Sequence, residues 1–317
     1  MLLTATMLLT GCSNNDEPTG DDDLVALTID VAESGWADES FSVSTRSGET
    51  IDGLKAVADI DNPADGEGFC LHAVNLLGAT TVRRQVVWNA TTGQWNSGQL
   101  IYWQRTSADD YFRVYAYAPY KTTDFAYTEV STGDIDENQK GEMTFATTDA
   151  DANGTNIDLL YAGAKVNRTN GRATLDFKHA MAKISFGTIT NNTGTALTLN
   201  NLSLSGDLWK GGDLNLTTGT WSNQVAHPSA DYSPAEKMHF DRNDFNPATD
   251  GNQTLALSNG EVKSLDVASF VLIPGPTVTI TLTFSSGDTF SFNTTLEQGK
   301  DKTYNITVEK NFEVVIE

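Results

Sequence analysis

The sequence predicts an all-β protein made of two consecutive antiparallel β-sandwich domains. Three observations carry that expectation. From Leu24 onward the dominant apolar period is two, the mark of strands with one buried face. No segment of three or more turns joins helical spacing to helix caps. The chain has 317 residues, and a single core stops growing at about 250 residues, which favours two domains. Hydrophobic residues make up 39%, with 14 Phe, 9 Tyr and 6 Trp, enough to bury cores and to exclude a disordered chain.

Val25, Leu27, Ile29 and Val31 alternate with Ala26, Thr28 and Asp30, giving an N-terminal strand. Further strands are expected at 69–76, 80–89, 99–105, 111–118 and 157–166, with turn-rich segments such as 59–68 between them. Between 173 and 186 the apolar parity flips: Leu175 and Phe177 are odd, whereas Ile184 and Phe186 are even. A strand does that only through a bulge, bend or short turn, placed here near 178–182. Val278, Ile280, Leu282 and Phe284 then interleave with four threonines, Ser285-Ser286-Gly287-Asp288 supplies turn chemistry, and Phe290 and Phe292 resume the alternation. That pattern predicts a β-hairpin. Thr91-Thr92-Gly93-Gln94-Trp95 recurs as Thr217-Thr218-Gly219-Thr220-Trp221, about one domain length later, a hint of related halves. The polar turn at 167–171 marks the boundary, giving an N-terminal sandwich over 24–170 and a C-terminal one over 171–317.

Charge and the N-terminus bear on partners. Against 42 Asp and Glu stand 20 Lys and Arg, a net charge of −22. No basic cluster exists to neutralise phosphates, which excludes nucleic acid as a partner. No run of 18 apolar residues occurs, so no helix is expected to span a membrane. The run Leu8-Leu9-Thr10-Gly11-Cys12, followed by polar residues, looks like a bacterial lipoprotein signal. On that reading 1–11 is the signal peptide and Cys12 carries acyl chains, anchoring the chain at about 0.8 kcal/mol per buried methylene. No Lys or Arg precedes the apolar run, which points to a start codon further upstream. The plainer alternative is a frayed apolar terminus with a chance Gly-Cys. Residues 12–23 include three consecutive aspartates and form a solvated tether. With Cys12 acylated, Cys70 has no disulfide partner. It sits in a strand-like run with no cationic cluster adjacent in sequence, and reads as a small buried hydrophobe.

Residues suited to catalysis are sparse. The four histidines, His72, His179, His227 and His239, lack metal-ligand spacing, so no metal or other cofactor is expected. Residues 149–157 match the first nine positions of a calcium loop, but Leu160 occupies the twelfth, where a bidentate carboxylate is required. Asp158 would have to act from an unusual geometry, and a solvated loop is the better reading. There is no G-x-S-x-G elbow, and Gly211-Gly212 lacks the lysine and helix of a phosphate loop. Two carboxylates would suffice for a glycosidase, yet nothing singles out a pair. Trp88, Trp95 and Trp103 are candidates for stacking on glycans, although tryptophan at alternate strand positions more often packs in a core.

Five segments carry a family resemblance: the run ending at Cys12; Leu100-Ile101-Tyr102-Trp103 with Phe112-Arg113-Val114-Tyr115-Ala116-Tyr117-Ala118-Pro119; Asp158-Leu159-Leu160-Tyr161-Ala162; 177–186; and Thr303-Tyr304-Asn305-Ile306-Thr307-Val308. The chain resembles the fimbrillin-like lipoproteins of Bacteroidales, subunits of type V pili. The resemblance implies a non-enzymatic protein with two transthyretin-like sandwiches, lipid-anchored at the outer membrane and assembled with other fimbrial subunits by strand exchange. An Arg-specific or trypsin-like protease removes an N-terminal strand, and a neighbour's strand fills the vacated groove. Here the cut falls at Arg46, the first Lys or Arg in the chain. The departing strand carries Val25, Leu27, Ile29 and Val31, and the candidate donor is the C-terminal run with Phe312, Val314 and Ile316 on one face. That run is equally readable as an ordinary last strand, and it ends sooner than a stalk subunit would require, so an anchor or tip role stays open. The receptor, on a host or bacterial surface, is not specified. Two other classes compete: a glycan- or peptide-binding outer-membrane lipoprotein on the same fold, using loops such as 59–68 or 227–250, and a hydrolase.

Overall fold

Alternation of apolar residues produces strands throughout. A computed structural model describes residues 24–33, 67–75, 81–89, 91–98, 102–104, 111–120, 125–129, 141–146, 158–167, 171–206, 208–226, 255–265, 269–310 and 313–316. Among these residues the structure is all-β, arranged in five sheets. A two-stranded sheet pairs β1 (Leu24–Ala26) with β6 (Tyr102–Gln104). A seven-stranded sheet runs in the order β2 (Thr28–Glu33), β11 (Arg172–His179), β10 (Leu160–Asn167), β7 (Tyr111–Ala118), β3 (Phe69–Asn75), β4 (Thr81–Asn89) and β5 (Gln94–Asn96). A four-stranded sheet comprises β15 (Trp221–Ala226), β14 (Trp209–Asn215), β9 (Gly141–Ala146) and β8 (Phe125–Glu129).

The remaining two sheets lie in the C-terminal half. One runs β17 (Val262–Ser264), β12 (Ala182–Asn191), β21 (Asp301–Val308), β22 (Val314–Ile316), with β18 (Ser269–Leu272) also on β12. The other runs β16 (Leu255–Leu257), β13 (Leu197–Gly206), β19 (Thr277–Phe284), β20 (Thr289–Thr295). Their inner faces meet in one core that includes Ile184, Phe186, Leu204, Ile280, Leu282 and Ile306. The β19–β20 hairpin is the one the alternation predicts, with Leu282 opposite Phe290. Its even-numbered apolar residues in β19 are buried, each stabilising the fold by about 1.5–3 kcal/mol. In β13 a bulge between Leu199 and Asn201 switches the buried parity from odd to even.

The central strands of the seven-stranded sheet are buried on both faces, whereas β11 is buried on one. Phe69, Leu71, Val114, Leu160, Leu175 and Phe177 fill one core. On the opposite face Cys70, Tyr115, Tyr117 and Tyr161 pack with Leu214 and Leu216 of the β14 region. Because β14 also pairs with β9, strands distant in sequence share one sheet beneath that face.

The parity flip between 173 and 186 marks a change of sheet. β11 buries Ala173, Leu175 and Phe177 in the seven-stranded layer, and β12 buries Ile184 and Phe186 in the C-terminal core. Between them, Ala180 and Met181 are buried and their backbones are pinned. Ala180 N–H donates to the Leu159 carbonyl (2.8 Å), Trp221 Nε1 donates to the Ala180 carbonyl (2.8 Å), and Gly299 N–H donates to the Met181 carbonyl (2.7 Å). Two ladders are parallel, β2 with β11 and β12 with β21, where the sequence suggested antiparallel pairing throughout. Alternation fixes which face is buried and is silent on strand direction.

The repeated T-T-G-x-W segments form the same turn twice. Asn89 and Asn215 each accept, through Oδ1, the N–H groups two and three residues on, and each carbonyl accepts the N–H of Gly93 or Gly219. Both glycines have left-handed φ, 64° and 75°. Their surroundings differ. A Cβ on Gly93 meets nothing within 4 Å, whereas one on Gly219 falls 2.1 Å from Tyr161 Oη. Gly93→Ala is expected to cost only the conformational penalty, about 1–2 kcal/mol. Gly219→Ala should cost distinctly more, because the Tyr161 ring is buried and cannot withdraw. Denaturant unfolding of both variants checks this; equal losses would contradict it.

Candidate functional site

Among the described residues, the first strands and the last one lie at sheet edges. The N-terminal run, expected as one strand, is divided at Leu27. β1 pairs with β6, Val25 opposite Trp103, and β2 pairs in parallel with β11, Ile29 opposite Ala173 and Val31 opposite Leu175. Leu27 is buried, and half-buried Ile29 and Val31 pack on the core beside Leu175 and Phe177. β11 meets β10 at Leu160↔His179 and Tyr161↔Lys178, while over Arg172–Phe177 its ladder partner is β2. Loss of β2 would therefore open the edge of β11 that faces it over Arg172–Phe177 and uncover apolar side chains together.

Polar contacts close this edge. Thr28 N–H donates to the Gly171 carbonyl (2.7 Å). Arg172 forks onto Asp30, with Nε donating to Oδ2 and Nη2 to Oδ1 (2.8 Å for the latter). The Arg172 hydrogen bonds hold the Asp30 carboxyl below the ordinary carboxylate range, outweighing the opposing effect of slight burial.

At the other terminus β22 is a short edge strand, antiparallel to β21, with Val314 opposite Val308 and Ile316 opposite Ile306. Val314 and Ile316 lie half-buried against the C-terminal core, and Val315 points outward. The run thus sits on its own chain's sheet, joined through one edge. Cys12, Arg46, Phe312, His227 and His239 lie outside the described residues.

A groove of about 660 Å³ opens between β2 and the β4–β5 hairpin, the two edges of the seven-stranded sheet. Trp88 and Trp95 are cross-strand partners in its wall, edge to face with ring centroids 5.4 Å apart. Trp95 also packs edge-on against Phe69 (5.2 Å), which fits the core role expected from its strand position. Trp103 is placed only by its backbone, opposite Val25.

Cys70 is buried, but its surroundings are not purely apolar. The β3–β4 ladder brings Arg83 opposite His72, so that Arg83 Nε donates to Cys70 Sγ (3.5 Å) and Arg83 Nη2 to Tyr117 Oη (3.3 Å). His72 Nε2 lies 3.2 Å from the same sulfur. Sequence reasoning found no cationic neighbour because the cation arrives across strands. Burial nonetheless prevails and pushes the Cys70 thiol up, against the lowering effect of Arg83. Burial, aided by Arg83, pushes His72 down to about 3, so the imidazole is neutral. Asp158, the carboxylate nearest the calcium-like run, is hydrogen-bonded to His179 Nδ1 (2.9 Å), and Leu160 is buried in the core. Among the described residues no three His, Cys, Asp or Glu converge to hold a metal ion.

The Asp30–Arg172 latch has a pH signature. Because the folded-state pKa of Asp30 is depressed, its contribution to seating β2 is complete above the ordinary aspartate value of about 3.9 and is lost as pH falls through the depressed one. Hydrogen exchange of the β2 amides should therefore accelerate on acidification, beyond the intrinsic effect of pH, and Asp30→Asn should abolish that extra dependence. An identical profile in both proteins would contradict the assignment.

This architecture has known relatives. A sequence model of the family described as fimbrillin-like matches residues 73–317. No curated protein matches the chain. Among solved structures, a fimbrial protein from Bacteroides vulgatus aligns over 92% of this chain and 97% of its own, with TM-score 0.55 and 13% identity. An adhesin candidate from Bacteroides thetaiotaomicron aligns over 94% and 97%, with TM-score 0.52 and 8% identity. At such identities the structural likeness speaks for the fold, while the family match spans most of the sequence: the chain belongs to the fimbrillin-like family.

Proposed function

We propose that this protein is a non-enzymatic pilus subunit, displayed on the outer membrane through acylated Cys12, that polymerises by strand exchange and supports adhesion to a host or bacterial surface. Two transthyretin-like sandwiches provide the scaffold, with β11 in the seven-stranded layer and the C-terminal core beginning at β12. An Arg-specific or trypsin-like protease cuts at Arg46, which frees the segment bearing β1 and β2. The C-terminal run of another subunit, with Phe312, Val314 and Ile316 facing the core, then occupies the vacated edge.

The observation that carries this reading is the β2–β11 ladder. Among the described residues β2 is at a sheet edge, so it can leave without crossing another of their strands, yet it supplies the ladder on one edge of β11 over Arg172–Phe177. An edge stripped of its partner exposes N–H and C=O groups beside apolar sockets, and an extended strand with apolar residues at alternate positions repairs both deficits. The donor segment has that pattern and is held on its own sheet by a single short ladder. Donation from one end to the other is a head-to-tail contact that does not close, so it extends into a filament.

Electron microscopy of the purified precursor, before and after limited Arg-specific digestion, tests this. Filaments are expected only after cutting, and none from Arg46→Ala. Ile316→Asp should also abolish filaments while leaving a folded monomer, whereas Val315→Asp, on the outward face, should polymerise normally. Filaments from uncut Arg46→Ala, or equal behaviour of the two C-terminal variants, would refute the mechanism.

A further inference from the structure

The groove between β2 and the β4–β5 hairpin is not needed for strand exchange itself, and its lining has a distinct chemistry. Its volume of about 660 Å³ lies within the ~300–1,000 Å³ typical of small-ligand sites. Trp88 and Trp95 offer half-buried indole surface. Trp95 is fixed by Phe69, and Trp88, its cross-strand partner, lies edge to face on it. On the same hairpin Gln94 and Asn96 are exposed amides, and Asn96 Oδ1 already accepts the Gly98 N–H (2.8 Å), which directs its NH₂ elsewhere. The charged groups of the lining are Asp30 and Arg172, which compensate each other.

In a chain of net charge −22, a charge-balanced groove selects against ions. Indole faces accept the C–H face of a pyranose ring, and amides, carboxylate and guanidinium exchange hydrogen bonds with its hydroxyls. We infer that this groove binds a neutral saccharide of one or two rings, and that the bound sugar retains β2. One wall is β2 itself, from Leu27 to Val31, and the opposite wall is the hairpin. A ligand touching both walls binds the seated state and not the vacated one, so it opposes departure of β2 by mass action. At a concentration about 100 times Kd, β2 release falls about a hundredfold. This consequence for assembly rests on the function proposed above; the binding does not.

The test uses the uncut full chain with maltose, lactose, cellobiose and N,N′-diacetylchitobiose at millimolar concentration, and glucuronate as an anionic control. Tryptophan fluorescence should shift saturably with at least one of the neutral sugars and not with glucuronate. Gln94→Ala, at an exposed position, should weaken that binding about tenfold, the effect of losing one hydrogen bond of about 1.4 kcal/mol, and Trp88→Ala should abolish it. Hydrogen exchange of the Thr28–Glu33 amides should slow with the same sugar and at the same half-saturation. No shift with any of the four sugars, or a shift unchanged in both variants, overturns the site. Saturable binding with unaltered β2 exchange overturns the coupling. Neither readout requires filaments, so a failure of polymerisation would count against the assembly mechanism and leave the saccharide site standing.

Discussion

The parallel ladder between β2 and β11 is the constraint on which the N-terminal layer depends. It joins residues 28–33 to 172–177, and Asp30 and Arg172, which pair across it, lie 142 residues apart in the chain. Without β2, the backbone groups of that ladder would form an open edge beside apolar sockets, a template for another strand. The apolar row Leu27, Ile29 and Val31 adds side-chain burial in step with Ala173, Leu175 and Phe177. The requirement is for a strand of the right pattern, and nothing in the ladder itself requires that strand to be covalently attached. On the proposed mechanism, this is how an ordinary edge becomes an acceptor.

Contacts other than the β2 ladder also hold the chain around β11. Immediately after β11 the backbone is pinned at Ala180 and Met181 by bonds from three separate segments, and it passes directly into β12. Tyr115, Tyr117 and Tyr161 pack the reverse face of the seven-stranded layer on Leu214 and Leu216. The strands next to the proposed acceptor edge are thus backed by a second sheet that includes strands from both halves of the sequence, while the reverse face of β11 itself, with Arg172, Thr174, Asp176 and Lys178, is exposed. A rigid support of this kind preserves the socket's shape, which an incoming strand needs if it is to find its register.

Local features were legible in the sequence and long-range ones were not. Alternation located the β19–β20 hairpin and most strands of the seven-stranded sheet to within a few residues, because burial on one face has a period that any window reveals. The parity flip after Phe177 pointed to a bulge, bend or short turn near 178–182, and it is there, at Ala180–Met181, that the chain passes from one sheet to another. The repeated T-T-G-x-W proved to be a repeated turn, since Asn89 and Asn215 supply the same Asx geometry. Strand direction was invisible, as was the pairing of β9 with β14, because neither is encoded in any single window. For the same reason Arg83 beside Cys70 and Arg172 beside Asp30 went unnoticed: each ion or hydrogen-bond partner arrives from another strand. A hint existed for the second, since Arg172 and Asp30 each occupy an outward position in a strand whose alternate residues are apolar.

The most direct measurement is to lock the ladder covalently. Asp30 and Thr174 are Cα partners in register, on the outward side of β2 and β11, so Asp30→Cys with Thr174→Cys places two sulfurs across adjacent strands at a separation a disulfide can span. After Arg-specific cutting, the oxidised protein should remain monomeric, and adding a reductant should release the N-terminal segment and produce filaments. Filaments formed by the cut protein with the bond intact would contradict the account, because polymer would then be growing without the edge ever being vacated.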